Sequence, residues 1–281
     1  MSLRERIAQK LFMSYALKVD PDSQVTVTLG GTEAIYSAIQ AVVGPGDEAI
    51  MFDPSYDSYD PAVRLAGGRC VRIPLQPPSF RYDWDRVRAA VNERTRLVLF
   101  NTPLNPACTA ATMEDLNTLA EVIRGKDILV MSDEVYEHVV YDGRKHVSVM
   151  MQPELAEKSF TVFSFGKTMH ATGLRVGYCI APAVLTRELR KVHQFNTFSI
   201  SHPFQHAIAA YLAEKPFFMG AEPVGVDATM FAFVSGALCP AFESPVRAAA
   251  ERHDNLKRYV GRMAGRFYPD FKEIAGCKAA A

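Results

Sequence analysis

No run of apolar residues in this sequence reaches the roughly 20 needed to cross a bilayer, although 48% of its 281 residues are hydrophobic. The apolar side chains are spread along the chain, enough for the core of one large or two smaller soluble domains. Met1-Ser2-Leu3-Arg4-Glu5-Arg6 opens an amphipathic segment rather than a signal peptide, so the expected location is cytoplasmic, with no membrane partner. An excess of one charge is also missing. The 31 basic residues balance 31 acidic ones without a basic stripe, which argues against nucleic acid as a partner. Cysteine is sparse: Cys70, Cys108, Cys179, Cys239 and Cys277 are scattered, odd in number and without C-x-x-C spacing. They are expected to be reduced thiols, not metal ligands, and no metal is expected.

What is present is a repeated change of period. Leu3, Ile7, Leu11, Phe12 and Tyr15 recur every three to four residues, which predicts a helix over 3–18 with one buried face. Beyond Asp20-Pro21-Asp22-Ser23, short β-branched runs alternate with helical stretches. Strands are predicted at 25–29, 48–52, 70–73, 95–100, 128–131, 159–164 and 176–181. Helices are predicted at 34–43, 63–66, 84–91, 113–123, 185–195 and 203–213. Strand-helix alternation of this kind predicts an α/β fold: a three-layer sandwich around a mostly parallel seven-stranded sheet.

Several predicted strand ends carry residues suited to ligand chemistry. Gly30-Gly31-Thr32-Glu33 leads from a strand into a helix, where free N–H groups and the positive dipole end attract phosphate. The same residues also suit an ordinary βα turn with Thr32 as N-cap. Tyr56, in Asp53-Pro54-Ser55-Tyr56, suits stacking against a planar ring or plain packing. Asn105 precedes Pro106, which favours an extended backbone and an outward side-chain amide. Asp133 and Glu134 end an apolar strand, where open α/β sheets bind ligands; one of the two is expected to cap a following helix. Ser164-Phe165-Gly166-Lys167 joins two apolar runs, with Arg175 eight residues after the lysine. Such a lysine is either a solvated loop residue or an imine-forming amine beside groups that hold an anion.

Taken in order, Gly30-Gly31-Thr32-Glu33-Ala34, Asp53-Pro54-Ser55-Tyr56, Asn101-Thr102-Pro103-Leu104-Asn105-Pro106, Ser132-Asp133-Glu134-Val135-Tyr136 and Ser164-Phe165-Gly166-Lys167-Thr168 with Gly173-Leu174-Arg175-Val176-Gly177-Tyr178 form one set. From about residue 3 to 213 the chain resembles the large domain of a class I, fold-type I pyridoxal-phosphate aminotransferase, nearest the methionine and kynurenine branch. The resemblance implies pyridoxal 5'-phosphate as cofactor and Lys167 as its covalent anchor and proton carrier. It also implies Asp133 on the pyridine nitrogen, Tyr136 and Asn105 on the phenolic oxygen, and Tyr56 on the ring face. The amides of Gly31, Thr32 and Glu33, with Ser164 and Arg175, would hold the phosphate. The implied reaction is ping-pong transfer of an amine from a methionine-like, aromatic or kynurenine-like amino acid to a 2-oxo acid. A homodimer is the family's usual assembly.

Three departures accompany the resemblance. The family's Asn-Pro-Thr-Gly stands here as Asn105-Pro106-Ala107-Cys108. If the glycine's positive φ is kept, Cys108 strains the turn by roughly 1 to 3 kcal/mol. Relatives carry an N-terminal arm ahead of the first helix, and after the last one a small domain whose arginine grips the substrate carboxylate. No residue here takes that arginine's role. Residues 215–281 instead resemble the C-terminal helical region of glutathione-transferase-like, metaxin-related proteins, on Phe218-Met219-Gly220, Asp227-Ala228-Thr229 and Asn255-Leu256. A two- or three-helix tail with the same pattern is the plainer alternative. The expected domains are therefore 1–214 and 215–281. Beside transamination, a non-catalytic scaffold and a carbon–sulfur lyase of the same fold remain as alternatives.

Overall fold

In the computed structural model, residues 2–214 and 251 are described; the expected helical tail, Glu251 apart, lies outside them. The chain splits into two units, Met1–Phe218 and Met219–Ala281. In the first, the elements run α1 (Leu3–Tyr15), β1 (Val25–Thr28), α2 (Gly30–Val42), β2 (Glu48–Asp53), α3 (Tyr59–Leu65) and β3 (Arg69–Pro74). Then follow α4 (Trp84–Ala90), β4 (Thr95–Asn101), α5 (Met113–Ile123), β5 (Leu129–Asp133), α6 (Pro153–Ala156) and β6 (Ser159–Ser164). Last come α7 (Phe165–Thr168), β7 (Gly177–Ile180), α8 (Ala183–Asn196) and α9 (His202–Glu214).

The seven strands form one sheet in the order β1-β7-β6-β5-β4-β2-β3. β7 runs antiparallel to both neighbours, and every other pairing is parallel. The expected three-layer α/β fold is thus present. Alternation along each strand divides the core. Met51, Leu99, Met131 and Val162 point to one face and pack with Ala34, Ile35, Ala38 and Ile39 of α2 and Leu189 of α8. Ile50, Val98 and Val130 point to the other face, against Leu116, Leu119 and Ala120 of α5. Beside them Ile7 and Leu11 of α1 cover Phe163, Tyr178 and Ile180. Each such buried Ile, Leu, Val or Met side chain contributes about 1.5 to 3 kcal/mol.

Several boundaries differ from expectation. α1 stops at Tyr15 because Ala16 adopts the left-handed conformation (φ 57°) and its N–H closes the turn on the Phe12 carbonyl. Phe12, expected on the buried face, is 52% exposed, whereas Lys10 is buried. The ammonium of Lys10 reaches the carboxylate of Glu137 and, at 3.0 Å, the hydroxyl of Tyr178. α2 begins at Gly30 with Leu29 as N-cap, so Thr32 lies inside the helix and caps nothing. No helix follows β5 directly, and neither Asp133 nor Glu134 is an N-cap: each side chain makes one local hydrogen bond within an irregular turn, and turns its remaining acceptors to Tyr59 and to His146 and Val149. No helix among the described residues is long and apolar enough to cross a membrane.

Candidate functional site

Because β7 is antiparallel to both β1 and β6, the carboxyl ends of β1, β2, β4, β5 and β6 share one rim with the start of β7. The register places Thr28 and Ser164 on either side of Gly177, and Asn101 beside Asp133. In open α/β sheets this rim is where ligands bind.

At one end of the rim lies a cradle made of glycine and hydrogen-bond donors. Gly177 must lack a side chain, since a Cβ there would lie 2.6 Å from the Gly30 carbonyl carbon and 2.7 Å from the Gly31 nitrogen. That close approach seats the start of α2 directly on the sheet. Gly30 has φ +79°, and a Cβ on it would meet the guanidinium of Arg175 at 2.8 Å. Ser164 packs beside Gly31, 3.7 Å from where its Cβ would stand, and the Ser164 hydroxyl has no hydrogen bond to any described residue. A helix starting at Gly30 leaves the amides of Gly30, Gly31 and Thr32 without intrahelical acceptors, while the Glu33 amide takes the Leu29 carbonyl. The carboxylate of Glu33 is turned away from the cradle. It accepts from the Leu29 amide at 3.1 Å and the Ser37 hydroxyl at 2.6 Å, and pairs with His193.

Toward the middle of the rim a chain of polar contacts runs into the sheet. Thr32 Oγ1 lies 3.3 Å from the Tyr56 hydroxyl, and the Tyr56 ring meets Tyr59 edge-on with centroids 5.7 Å apart. Tyr59 donates its hydroxyl to Asp133 Oδ2 at 2.7 Å. Asp133 is only 3% exposed, and no basic side chain among the described residues makes a salt bridge with it. Burial pushes its carboxyl up to about 6, against the opposing hydrogen bonds from Tyr59 and the Val135 amide; Glu134 adds to the rise and the charge of Lys167 counters it. Lys167 itself is exposed on α7, with Nζ 5.5 Å above the Tyr136 ring.

Most of the residues singled out from sequence are therefore joined by direct contacts. Gly31 and Ser164 form one group, which Arg175 joins through Gly30; Thr32, Tyr56 and Asp133 form a second through Tyr59; Lys167 and Tyr136 form a third. Asn105 joins indirectly. Its backbone N–H donates to Asn101 Oδ1 at 2.8 Å, and Asn101 Nδ2 donates to the Asp133 carbonyl at 2.8 Å. The Asn105 side-chain amide has no hydrogen bond among the described residues. Tyr59 and Asn101 were not singled out, although Asn101 opens one of the motifs and Tyr59 closely follows another. The spacing of Tyr59 three residues beyond Tyr56 was the available signal.

Cys108 adopts φ 58°, the conformation that the glycine comparison made conditional, and its turn is closed by hydrogen bonds from the Cys108 amide to the Leu104 carbonyl and from the Leu104 amide to the Thr109 carbonyl. Among the described residues no cluster of three histidine, cysteine or acidic groups is arranged to hold a metal. Cys70, Cys108 and Cys179 are free thiols, and burial pushes that of Cys70 up to about 12.

Residues 1–225 match the family described as Aminotransferase class I and II, and residues 205–263 match the C-terminal domain of glutathione S-transferase. A methionine aminotransferase of Escherichia coli is 52% identical over 215 residues, covering 76% of this chain and 56% of that protein. Human kynurenine–oxoglutarate transaminase 1 is 35% identical over 203 residues, 68% of this chain and 48% of that one. The crystal structure of YbdL, for which a methionine aminotransferase function was identified in Escherichia coli, superposes with a TM-score of 0.75 at 49% identity, covering 84% of this chain and 61% of that chain. The chain thus spans about half the length of the curated relatives it matches. With the family match covering most of the chain and the fold shared with these structures, the chain belongs to the class I and II aminotransferases.

Proposed function

We propose that this protein binds pyridoxal 5'-phosphate on the carboxyl rim of its sheet and transfers an amine from a methionine-like, aromatic or kynurenine-like amino acid to a 2-oxo acid. The residues present fit that cofactor. The cradle of Gly30, Gly31 and Thr32 amides, with the unengaged Ser164 hydroxyl and the Arg175 guanidinium against Gly30, offers several donors and a cation to a phosphate. Asp133 suits a protonated ring nitrogen, the outward amide of Asn105 and the hydroxyl of Tyr136 suit the phenolic oxygen, and Tyr56 suits the ring face. When bound, the cofactor supplies an aldehyde carbon and a cationic ring that draws electrons from the substrate's α-carbon.

The chain's own residues do the rest. Lys167 Nζ anchors the cofactor and carries the proton to and from the α-carbon. Asp133 keeps the ring nitrogen protonated, since a carboxylate beside a cation favours the charged form by about 1 to 3 pKa units, or roughly 1.4 to 4 kcal/mol. Tyr59 orients that carboxylate.

The observation that carries this proposal is Asp133: a buried carboxyl raised to about 6, which no protein cation pairs with among the described residues, within the electrostatic reach of Lys167. A cytoplasmic location and a homodimer belong to the same proposal, supported by what is usual in the family. Titration of the purified protein with pyridoxal phosphate, followed by visible absorbance, tests it. A bound-cofactor band is expected in the parent and not in Lys167→Ala. The same band in both proteins, or none in folded parent protein, overturns it.

A further inference from the structure

Directly behind Asp133 lies a second buried carboxyl group, Glu134, fully shielded from solvent. Its Oε1 accepts from the Ser132 hydroxyl at 2.9 Å and the Val149 amide at 3.0 Å, and its Oε2 lies 2.8 Å from His146 Nε2. The His146 side chain is 4% exposed, and its other nitrogen, Nδ1, is buried without a hydrogen-bond partner among the described residues. A buried orphan N–H costs more than a buried bare lone pair on a ring that is already donating elsewhere. Nε2 is therefore the donor, its N–H aimed at Glu134 Oε2. With three donors aimed at it, Glu134 is an acceptor-only group, a carboxylate.

The irregular segment after β5 is sorted by this arrangement. Asp133 and Tyr136 face Tyr59 and Lys167, while Glu134 and Glu137 turn the other way, to His146 and to Lys10 and Tyr15 of α1. The Glu134 amide also donates to the Val162 carbonyl at 2.8 Å, which fixes the backbone at the edge of β6.

We propose that Glu134, held by His146, Ser132 and the Val149 amide, is a positioning residue for Asp133: it anchors the turn that carries Asp133 and Tyr136, and its charge deepens the negative potential at the Asp133 carboxyl. This role rests on Asp133 being the partner of the cofactor ring nitrogen. The charged and titratable groups around the pair are few. Asp133 meets Tyr59 of α3, Lys167 of α7 and Glu134 itself. Glu134 meets His146, with Tyr15 of α1 and Tyr178 of β7 within its electrostatic reach and the Lys10–Glu137–His138 group beyond. A negative charge so close makes Asp133 hold its proton to higher pH, opposing the pull of Lys167.

The test is carbon-13 NMR titration of the side-chain carboxyl of Asp133 in the cofactor-free protein, assigned with Asp133→Asn. Glu134→Gln keeps an acceptor for Ser132 and Val149 but removes the charge, and should lower the Asp133 midpoint by about one pH unit. Should that variant fail to fold, Glu134→Gln with His146→Gln, which leaves no orphaned ring nitrogen, reads the same midpoint. His146→Gln alone keeps an N–H donor to Glu134 and the Glu134 carboxyl itself, and should leave the midpoint where it is in the parent. An Asp133 midpoint unmoved by loss of the Glu134 charge, with melting temperature alone reduced, overturns the role. Pyridoxal phosphate titrations of the same proteins separate the two proposals. Absent binding with a shifted midpoint sinks the cofactor assignment only, and binding with an unmoved midpoint sinks the Glu134 role only.

Discussion

The hydroxyl of Tyr59, on the first residue of α3, donates to Asp133 Oδ2 across 2.7 Å, tying a helix N-terminus to the end of β5. Both residues are almost fully buried. This bond decides how readily Asp133 carries a charge, because it stabilises the ionised form against a burial penalty that would otherwise raise the carboxyl further.

Asp133 carries a stability cost with a definite pH dependence. Its folded value, about 6, lies above the ordinary 3.8, so the native state holds this proton more tightly than the unfolded chain. That contribution is fully present below about pH 4 and is lost as pH rises through about 6. Asp133→Asn should therefore stabilise the cofactor-free protein by about 1 to 3 kcal/mol at pH 7.5 and weaken cofactor capture by about tenfold or more. Tyr59→Phe should do the opposite to the carboxyl, raising its midpoint further. Thermal melts across pH 4 to 8, expected to cross for parent and Asp133→Asn near the acid end, check the sign.

Cys108 is a strained residue with an obvious replacement. At φ 58° a non-glycine side chain costs roughly 1 to 2 kcal/mol, and the side chain here is exposed, with only a long Sγ contact to the Pro106 carbonyl in return. Cys108→Gly should raise the urea midpoint by the equivalent of about 1 kcal/mol or less, since glycine also gains freedom in the unfolded chain. A lower midpoint would show that the turn is better served by cysteine.

Gly177→Ala should damage the rim from beneath. The added methyl would press on the Gly30 carbonyl carbon and the Gly31 nitrogen at under 3 Å, and backbone is what must yield. A stability loss of about 1 to 3 kcal/mol is expected, with weaker binding of inorganic phosphate as the more telling result. Isothermal titration against phosphate measures it; affinity equal to the parent would mean that Gly30 and Gly31 are no part of an anion site.

The sheet and its helices were legible because period and punctuation agree: β-branched runs end at Gly30, Asp53, Asn101, Asp133 and Ser164, and the strands lie within a residue or two of where alternation puts them. Helix starts were read less well. Gly30 and Gly31 look like a loop on propensity, yet burial against Ser164 and Gly177 draws them into α2, so the helix begins four residues before Ala34. The cofactor-site candidates were visible as motifs, whereas what supports them was not. Tyr59, His146 and Lys10 act through partners 74, 12 and 127 residues away in the chain, a pairing that no local pattern encodes.

The reversed direction of β7 puts its start on the rim where the neighbouring strands end. Lys167 and Arg175 sit in the single connection between two adjacent strands, residues 165–176, Lys167 on the helical turn α7 and Arg175 just before β7. The opposite rim includes the turns at Gly46 and Gly125, which have open space around them and nothing within 4 Å of an added Cβ. Inserted tags or fluorophores belong there: at those turns a probe can follow unfolding from the end of the sheet away from Lys167.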